Sequence, residues 1–84
     1  MDIRICVLQR GWVVVGNYKK VKKTVTLRNA SVIRRWGTTK GLGQLASEGP
    51  RDNTILDKSP DIEYHKLTEV LNIKCNLEKW ENEL

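Results

Sequence analysis

The chain has 84 residues, 30% of them charged and 6% aromatic, and a formal net charge of +5. That length accommodates a single domain, and no apolar run approaches the roughly 20 residues that span a bilayer as a helix. A chain this short buries only about 60–65% of its unfolded surface, so self-association into a homo-oligomer is the most available source of extra burial.

Ile3, Ile5 and Val7 alternate with Arg4, Cys6 and Leu8, a period of two that predicts a first strand. Gln9-Arg10-Gly11 is a turn, and residues 12–18 (Trp-Val-Val-Val-Gly-Asn-Tyr) form a second, strongly β-prone run. Valines on both of its faces predict a central strand or a face against another subunit. Gly16 inside it marks a bulge or strong coiling. Residues 19–23 hold four lysines around Val21 and read as an exposed hairpin tip, where lysines discourage edge pairing. Residues 24–28 alternate as a third strand, Asn29-Ala30 offers a turn or bulge, and residues 31–36 read as a fourth.

The pattern then changes. Gly37-Thr38-Thr39-Lys40-Gly41-Leu42-Gly43 is a glycine-rich bend, and Leu42, Leu45 and Ala46 follow at helical spacing. Residues 41–48 are therefore a short helix of about two turns, stopped by Gly49-Pro50. Residues 51–60 read as an irregular loop with a brief extended piece at 54–56. Residues 62–65 and 67–73 are extended. In the tail, residues 76–84, Leu77 and Trp80 stand at i and i+3 among acids, which suits a final short helix. The predicted class is α+β, mainly β: residues 1–84 form one domain, a small coiled antiparallel sheet in meander order with one or two short helices.

Charge is unevenly placed. Residues 1–51 carry 11 Lys and Arg against Asp2 and Glu48, giving +9, and residues 52–84 carry 4 Lys against 8 acids, giving −4. A basic front fits an anionic ligand, and equally fits two halves that neutralise each other on folding. No leader peptide is legible at the N-terminus, which places the chain in a reducing cytosol with Cys6 and Cys75 as free thiols.

The glycine-rich bend concentrates binding chemistry. Glycines let backbone amides approach a ligand, and a helix start adds partial positive charge. Thr38 and Thr39 offer hydroxyls, one of which can cap the helix. Arg34, Arg35 and Lys40 bring charge, and Trp36 a flat face for a nucleobase. The expected ligand-binding set is Arg34, Arg35, Trp36, Gly37, Thr38, Thr39, Lys40, Gly41 and Gly43, with a small anionic nucleotide as partner. An ordinary strand-to-helix turn beside a core tryptophan accounts for the same residues. Gly41-x-Gly43-x-x-Ala46 also fits the dinucleotide fingerprint, yet that fingerprint works only inside a parallel βαβ unit, and a hairpin meander precedes it here.

Catalytic parts are missing: His65 is the only histidine, and two cysteines 69 positions apart do not read as a zinc site. No enzyme activity, metal or cofactor is expected. Trp12 and Trp80 are expected to be core or interface anchors, with Trp36 partly exposed.

The run Asn29-Ala-Ser-Val-Ile-Arg-Arg-Trp-Gly37, with Leu42-Gly-Gln-Leu-Ala-Ser-Glu-Gly49 and Leu67-Thr-Glu-Val-Leu71, resembles a family of short bacteriophage and prophage proteins. Members carry an Ala-x-x-Ile-x-x-Trp strand, a small-residue bend and a Leu-x-x-Leu-Ala-x-x-Gly helix. Those positions are Ala30, Ile33, Trp36, Leu42, Leu45, Ala46 and Gly49 here. The likeness covers nearly the whole chain, although many relatives have small apolar residues where this chain has Gly-Thr-Thr-Lys. It implies a non-enzymatic protein of the host cytoplasm, of a kind that disarms host defence by sequestering a cyclic nucleotide signal. Two other classes stay open. One is nucleic-acid binding through Lys19, Lys20, Lys22, Lys23, Arg28 and Arg34. The other is an inhibitor that covers a host protein.

Overall fold

The computed structural model describes residues 1–84. It contains six antiparallel strands in one sheet, β1 (Ile3–Leu8), β2 (Val13–Val21), β3 (Thr24–Arg35), β4 (Ile55–Lys58), β5 (Ile62–His65) and β6 (Glu69–Lys74). Two short helices, α1 (Leu42–Glu48) and α2 (Leu77–Trp80), complete the α+β, mainly β, domain. Neither helix is long and apolar enough to cross a membrane.

The first three strands pair in sequence order as a meander. After β3 the order changes: β4 and β5 both pair with β3, and β6 returns to pair with β1, giving β4-β3-β2-β1-β6 with β5 off that path. The simple meander therefore holds only as far as Arg35. The third and fourth expected strands are one strand, β3, because Asn29 absorbs an extra residue in a left-handed conformation (φ 50°) instead of turning the chain. Across that bulge the register moves from Val15 opposite Ser31 to Asn17 opposite Arg28. Gly16 faces the bulge, where a Cβ would stand 3.0 Å from both the Arg28 carbonyl oxygen and Leu27 Cβ. The missing side chain is what lets the hairpin coil so tightly.

Three other expectations need correction. The lysine-rich tip is narrower than residues 19–23, since Lys19, Lys20 and Val21 pair with β3 and only Lys22-Lys23 turn. The loop at 51–60 contains a full edge strand, β4, displaced toward Lys58 from the expected 54–56. The last extended segment begins at Glu69, because residues Lys66–Thr68 form a 3-10 turn that the His65 ring caps by accepting the Leu67 amide at 3.1 Å.

Coiling gives the sheet two buried faces, as the valines on both sides of β2 require. On one face Ile3, Ile5, Val15 and Ile33 pack with Leu45 and Ala46 of α1, Cys75 and Trp80. On the other, Cys6, Leu8 and Val14 meet Val25, Leu27 and Ala30 from the far end of the same hairpin. Cys6 and Cys75 are thus free buried thiols in separate cores. Trp80 is fully buried, whereas Trp12 is 57% exposed and so is no core anchor.

Ser31 is the one buried side chain whose polar atom has no hydrogen-bond partner. An unmade buried hydrogen bond is costly. Ser31→Ala is expected to leave stability unchanged or raise it by up to about 1 kcal/mol. A urea titration reads this, and a loss above about 1 kcal/mol would mean that the hydroxyl contributes a favourable contact.

Candidate functional site

Where β3 ends, the chain turns sharply at Gly37 (φ 71°) against a second loop. A Cβ there would lie 2.5 Å from the backbone of Asn53 and Thr54, so only glycine fits. Thr54 joins the two loops: its Oγ1 donates to the Trp36 carbonyl at 2.6 Å and accepts the Arg51 amide at 2.8 Å. Between them lies an open polar cleft of about 580 Å³, lined by Gly37, Thr38, Thr39 and Gln44 on one side and residues 50–53 on the other. That volume is in the range of small-ligand sites, which are usually more apolar than this one.

Gln44 of α1 ties the bend to the helix. Its Oε1 accepts from the Lys40 amide at 2.7 Å and from Thr39 Oγ1 at 3.3 Å. Thr38 Oγ1 donates to the Gly41 carbonyl at 2.8 Å, and Gly41, with no side-chain cap, is the residue that precedes α1. Neither threonine hydroxyl caps a helix amide as expected, because Thr38 is engaged within the loop and Thr39 donates to the Gln44 side chain of α1. The amides of Gly37, Thr38, Thr39 and Gly41 have no acceptor within the chain. Trp36 is 42% exposed, and one edge of its ring lies beside Gly41.

The expected set separates into groups. Gly37, Thr38 and Thr39 line the cleft, while Lys40, Gly41 and Gly43 continue along the same bend outside its lining. Trp36 flanks it. Arg34 is held by Asp57 of β4 through two hydrogen bonds of 2.9 and 3.3 Å, so its charge is compensated. Arg35 and Lys40 are exposed and in no ion pair. Gln44 and residues 50–53 were absent from the expectation. Of these, Arg51 pairs with Glu48, which offsets the one cation of the lining. Pro50 reads as the helix stop and Arg51 to Asn53 only as loop, and nothing local in the sequence reveals that this turn returns to Gly37.

A second constellation went unread in the sequence. The Glu69 side chain is only 2% exposed, and it accepts hydrogen bonds from Tyr64 Oη at 2.6 Å, Asn72 Nδ2 at 2.6 Å, Lys66 Nζ at 2.5 Å and Tyr18 Oη at 3.3 Å. Burial by itself would raise the carboxyl pKa, but the donors from Lys66, Tyr64 and Asn72 outweigh it and hold it at about 2. Arg4 joins this cluster through Asn72 at 3.0 Å and stacks 4.6 Å above the Tyr18 ring. Burial pushes the Cys6 thiol up to about 11 and Cys75 up to about 12, which makes both poor nucleophiles at neutral pH. His, Cys, Asp and Glu side chains nowhere gather in a group of three able to hold a metal.

Fold and site together define a small coiled-sheet domain with a polar surface cleft between two loops. The chain belongs to the family described as "Domain of unknown function (DUF6948)", whose model matches residues 3–80. No curated protein and no solved structure matches the chain.

Proposed function

We propose that the protein is a non-catalytic binding protein that captures a small phosphate-bearing ligand, a cyclic nucleotide or oligonucleotide, at the bend from Trp36 to Gly43. The observation that carries this reading is that the amides of Gly37, Thr38, Thr39 and Gly41 have no acceptor within the chain, next to a tryptophan, Trp36, that is 42% exposed. Amides without an internal acceptor can hold anionic oxygens, Lys40 and Arg35 supply uncompensated charge, and an indole face stacks on a base. Gln44 keeps the loop preorganised through Lys40 and Thr39, so less ordering cost falls on binding. Capture without turnover requires no general acid or base. The resemblance to short bacteriophage proteins supports a setting in the host cytoplasm, where sequestering a cyclic nucleotide signal would blunt defence. A second copy of the chain is the proposed partner. Trp12, Leu67, Val70 and Leu71 remain exposed, and sedimentation velocity showing only monomer at high micromolar concentration would remove that part.

Isothermal calorimetry against cyclic dinucleotides, cyclic trinucleotides and cyclic ADP-ribose isomers tests the ligand. One of them is expected to bind saturably and to be recovered intact after heat denaturation. Trp36→Ala and Lys40→Ala are each expected to weaken it about 10-fold, equivalent to roughly 1.4 kcal/mol. Unchanged affinity in Lys40→Ala would misplace the site, and absence of saturable heat with every probe would reject the ligand class.

A further inference from the structure

A dense cluster of exposed cations lies away from this bend, on the far half of the β2–β3 hairpin. Lys19, Lys20, Lys22, Lys23 and Arg28 fall within ten residues of one another and are all exposed. The four ion pairs of the protein join Arg4 to Asp2, Arg34 to Asp57, Arg51 to Glu48 and Lys66 to Glu69, so none engages these five cations. Unpaired like charges repel, and a hairpin that gathers five of them without acids is poorly explained by folding alone.

Register determines how they are displayed. Asn17 stands opposite Arg28 and Lys19 opposite Thr26, so Lys19 and Arg28 are diagonal neighbours on one face, roughly 7–8 Å apart. Asn17, Lys19, Val21, Thr26 and Arg28 line a shallow cleft of about 390 Å³ on that face. Val21, 57% exposed, is its only apolar lining residue. The Lys22-Lys23 turn follows Val21 directly in the chain, and Glu63 of β5 stands opposite Thr26. Lys22 itself holds a left-handed conformation (φ 55°), which asparagine or glycine adopts more easily in a two-residue hairpin turn. A lysine in a backbone conformation that disfavours it is a strained position of the kind that clusters at functional sites.

We infer that this face of the β2–β3 hairpin binds the sugar-phosphate backbone of a nucleic acid, independent of base sequence. Lys19 and Arg28 span about two phosphates of one strand, given one charge per roughly 3.4 Å of axis per strand. Asn17 and Thr26 can donate hydrogen bonds to phosphate or sugar oxygens, and Val21 packs against sugar. The cleft lining contains no aromatic ring, so it positions a backbone and does not read bases. Edge protection is the competing role for these lysines, since β2 beyond Asn17 has no strand partner on the side away from β3. That role predicts no binding. The inference does not depend on the proposal for the Trp36–Gly43 bend, because the two surfaces share no residue.

Fluorescence anisotropy with a labelled 20-nucleotide single strand and the matching duplex, repeated across a salt series, tests it. The wild-type protein is expected to bind both, with log affinity falling against log salt at a slope of about −3 on the duplex, as for three to four neutralised phosphates. Lys19→Gln/Arg28→Gln is expected to weaken binding at least about 10-fold and to flatten that slope by about 2. Circular dichroism checks that this variant stays folded. Lys58→Gln/Lys74→Gln removes the same net charge from exposed positions on β4 and β6 and is expected to bind nearly as the wild type does. Equal weakening by both pairs would show attraction to overall charge only, and would overturn the assignment. Absence of salt-dependent binding by the wild type would overturn it as well.

Discussion

Trp80→Ala is expected to destabilise the protein by about 3–5 kcal/mol, the range for removing a large buried aromatic side chain. Against a total of roughly 5–10 kcal/mol for a domain of this size, most of the margin would be lost. Two contributions add. The indole is fully buried in the core formed by β1, β2, β3 and α1. Its Nε1 also donates to the carbonyls of Leu45 and Ala46, both at 3.1 Å. Those carbonyls belong to the last turn of α1, which has no intrahelical donors for them beyond the Gly49 amide that reaches Leu45. Trp80→Phe separates the two contributions. It keeps much of the packing and removes only the indole donor, because the Leu45 carbonyl keeps the Gly49 amide and the Ala46 carbonyl keeps the Asn76 amide, at an expected cost of about 0.5–1.5 kcal/mol. Urea unfolding with an unchanged m-value reads both variants. A Trp80→Ala loss below about 1 kcal/mol would contradict the role given to this residue. Because α1 carries Gln44, which anchors Thr39 and Lys40, Trp80 also holds the candidate binding loop in place from the opposite end of the chain.

Glu69→Gln is expected to cost about 3 kcal/mol at neutral pH and to remove a distinct part of the acid sensitivity. The carboxyl pKa is about 2 in the folded protein against an ordinary 4.5, and that difference corresponds to about 3 kcal/mol by linkage. The sign follows from the depression. A carboxylate whose folded pKa lies below its unfolded value contributes full stability above about pH 4.5. That contribution declines as pH falls from there and is gone below about pH 2. The stability gap between wild type and Glu69→Gln should therefore be largest near neutrality and close over this window. Denaturation midpoints measured at several pH values supply the comparison, and other titrating carboxylates cancel in the difference. A gap that is flat from neutrality to pH 2 would show that the Glu69 charge is not what Lys66, Tyr64 and Asn72 stabilise.

The strands that were easiest to read are those whose alternation is local. β1 was legible to the residue, since the alternation puts Ile3 and Ile5 in one core and Cys6 and Leu8 in the other. α1 was displaced by a single residue, because Leu42, Leu45 and Ala46 set its period and Gly49 stops it. Gly16 was legible as a site of coiling for a simple reason: a glycine among valines sacrifices packing unless backbone must come close. β4 was harder. Ile55 and Leu56 are followed by Asp57 and Lys58, and such a short run becomes a strand only because β3 offers an unpaired edge. The same holds for the candidate site, whose first wall is a contiguous bend and whose second wall, residues 50–53, arrives by a return of the chain.

Taken alone, the residues determined a single β-rich domain with a coiled antiparallel sheet, a short helix after a glycine-rich bend, and the concentration of positive charge in the first half. Each follows from period, turn chemistry or charge count, which act over a few neighbouring positions. Tertiary structure alone decided that β6 crosses back to β1, that Trp80 enters the core while Trp12 stays outside, and that Glu69 becomes a buried anion with four donors. These depend on which surfaces meet once the sheet coils. Coiling is a cooperative consequence of the bulge at Asn29 and the close approach at Gly16, and no window of sequence around Trp80 or Glu69 contains it.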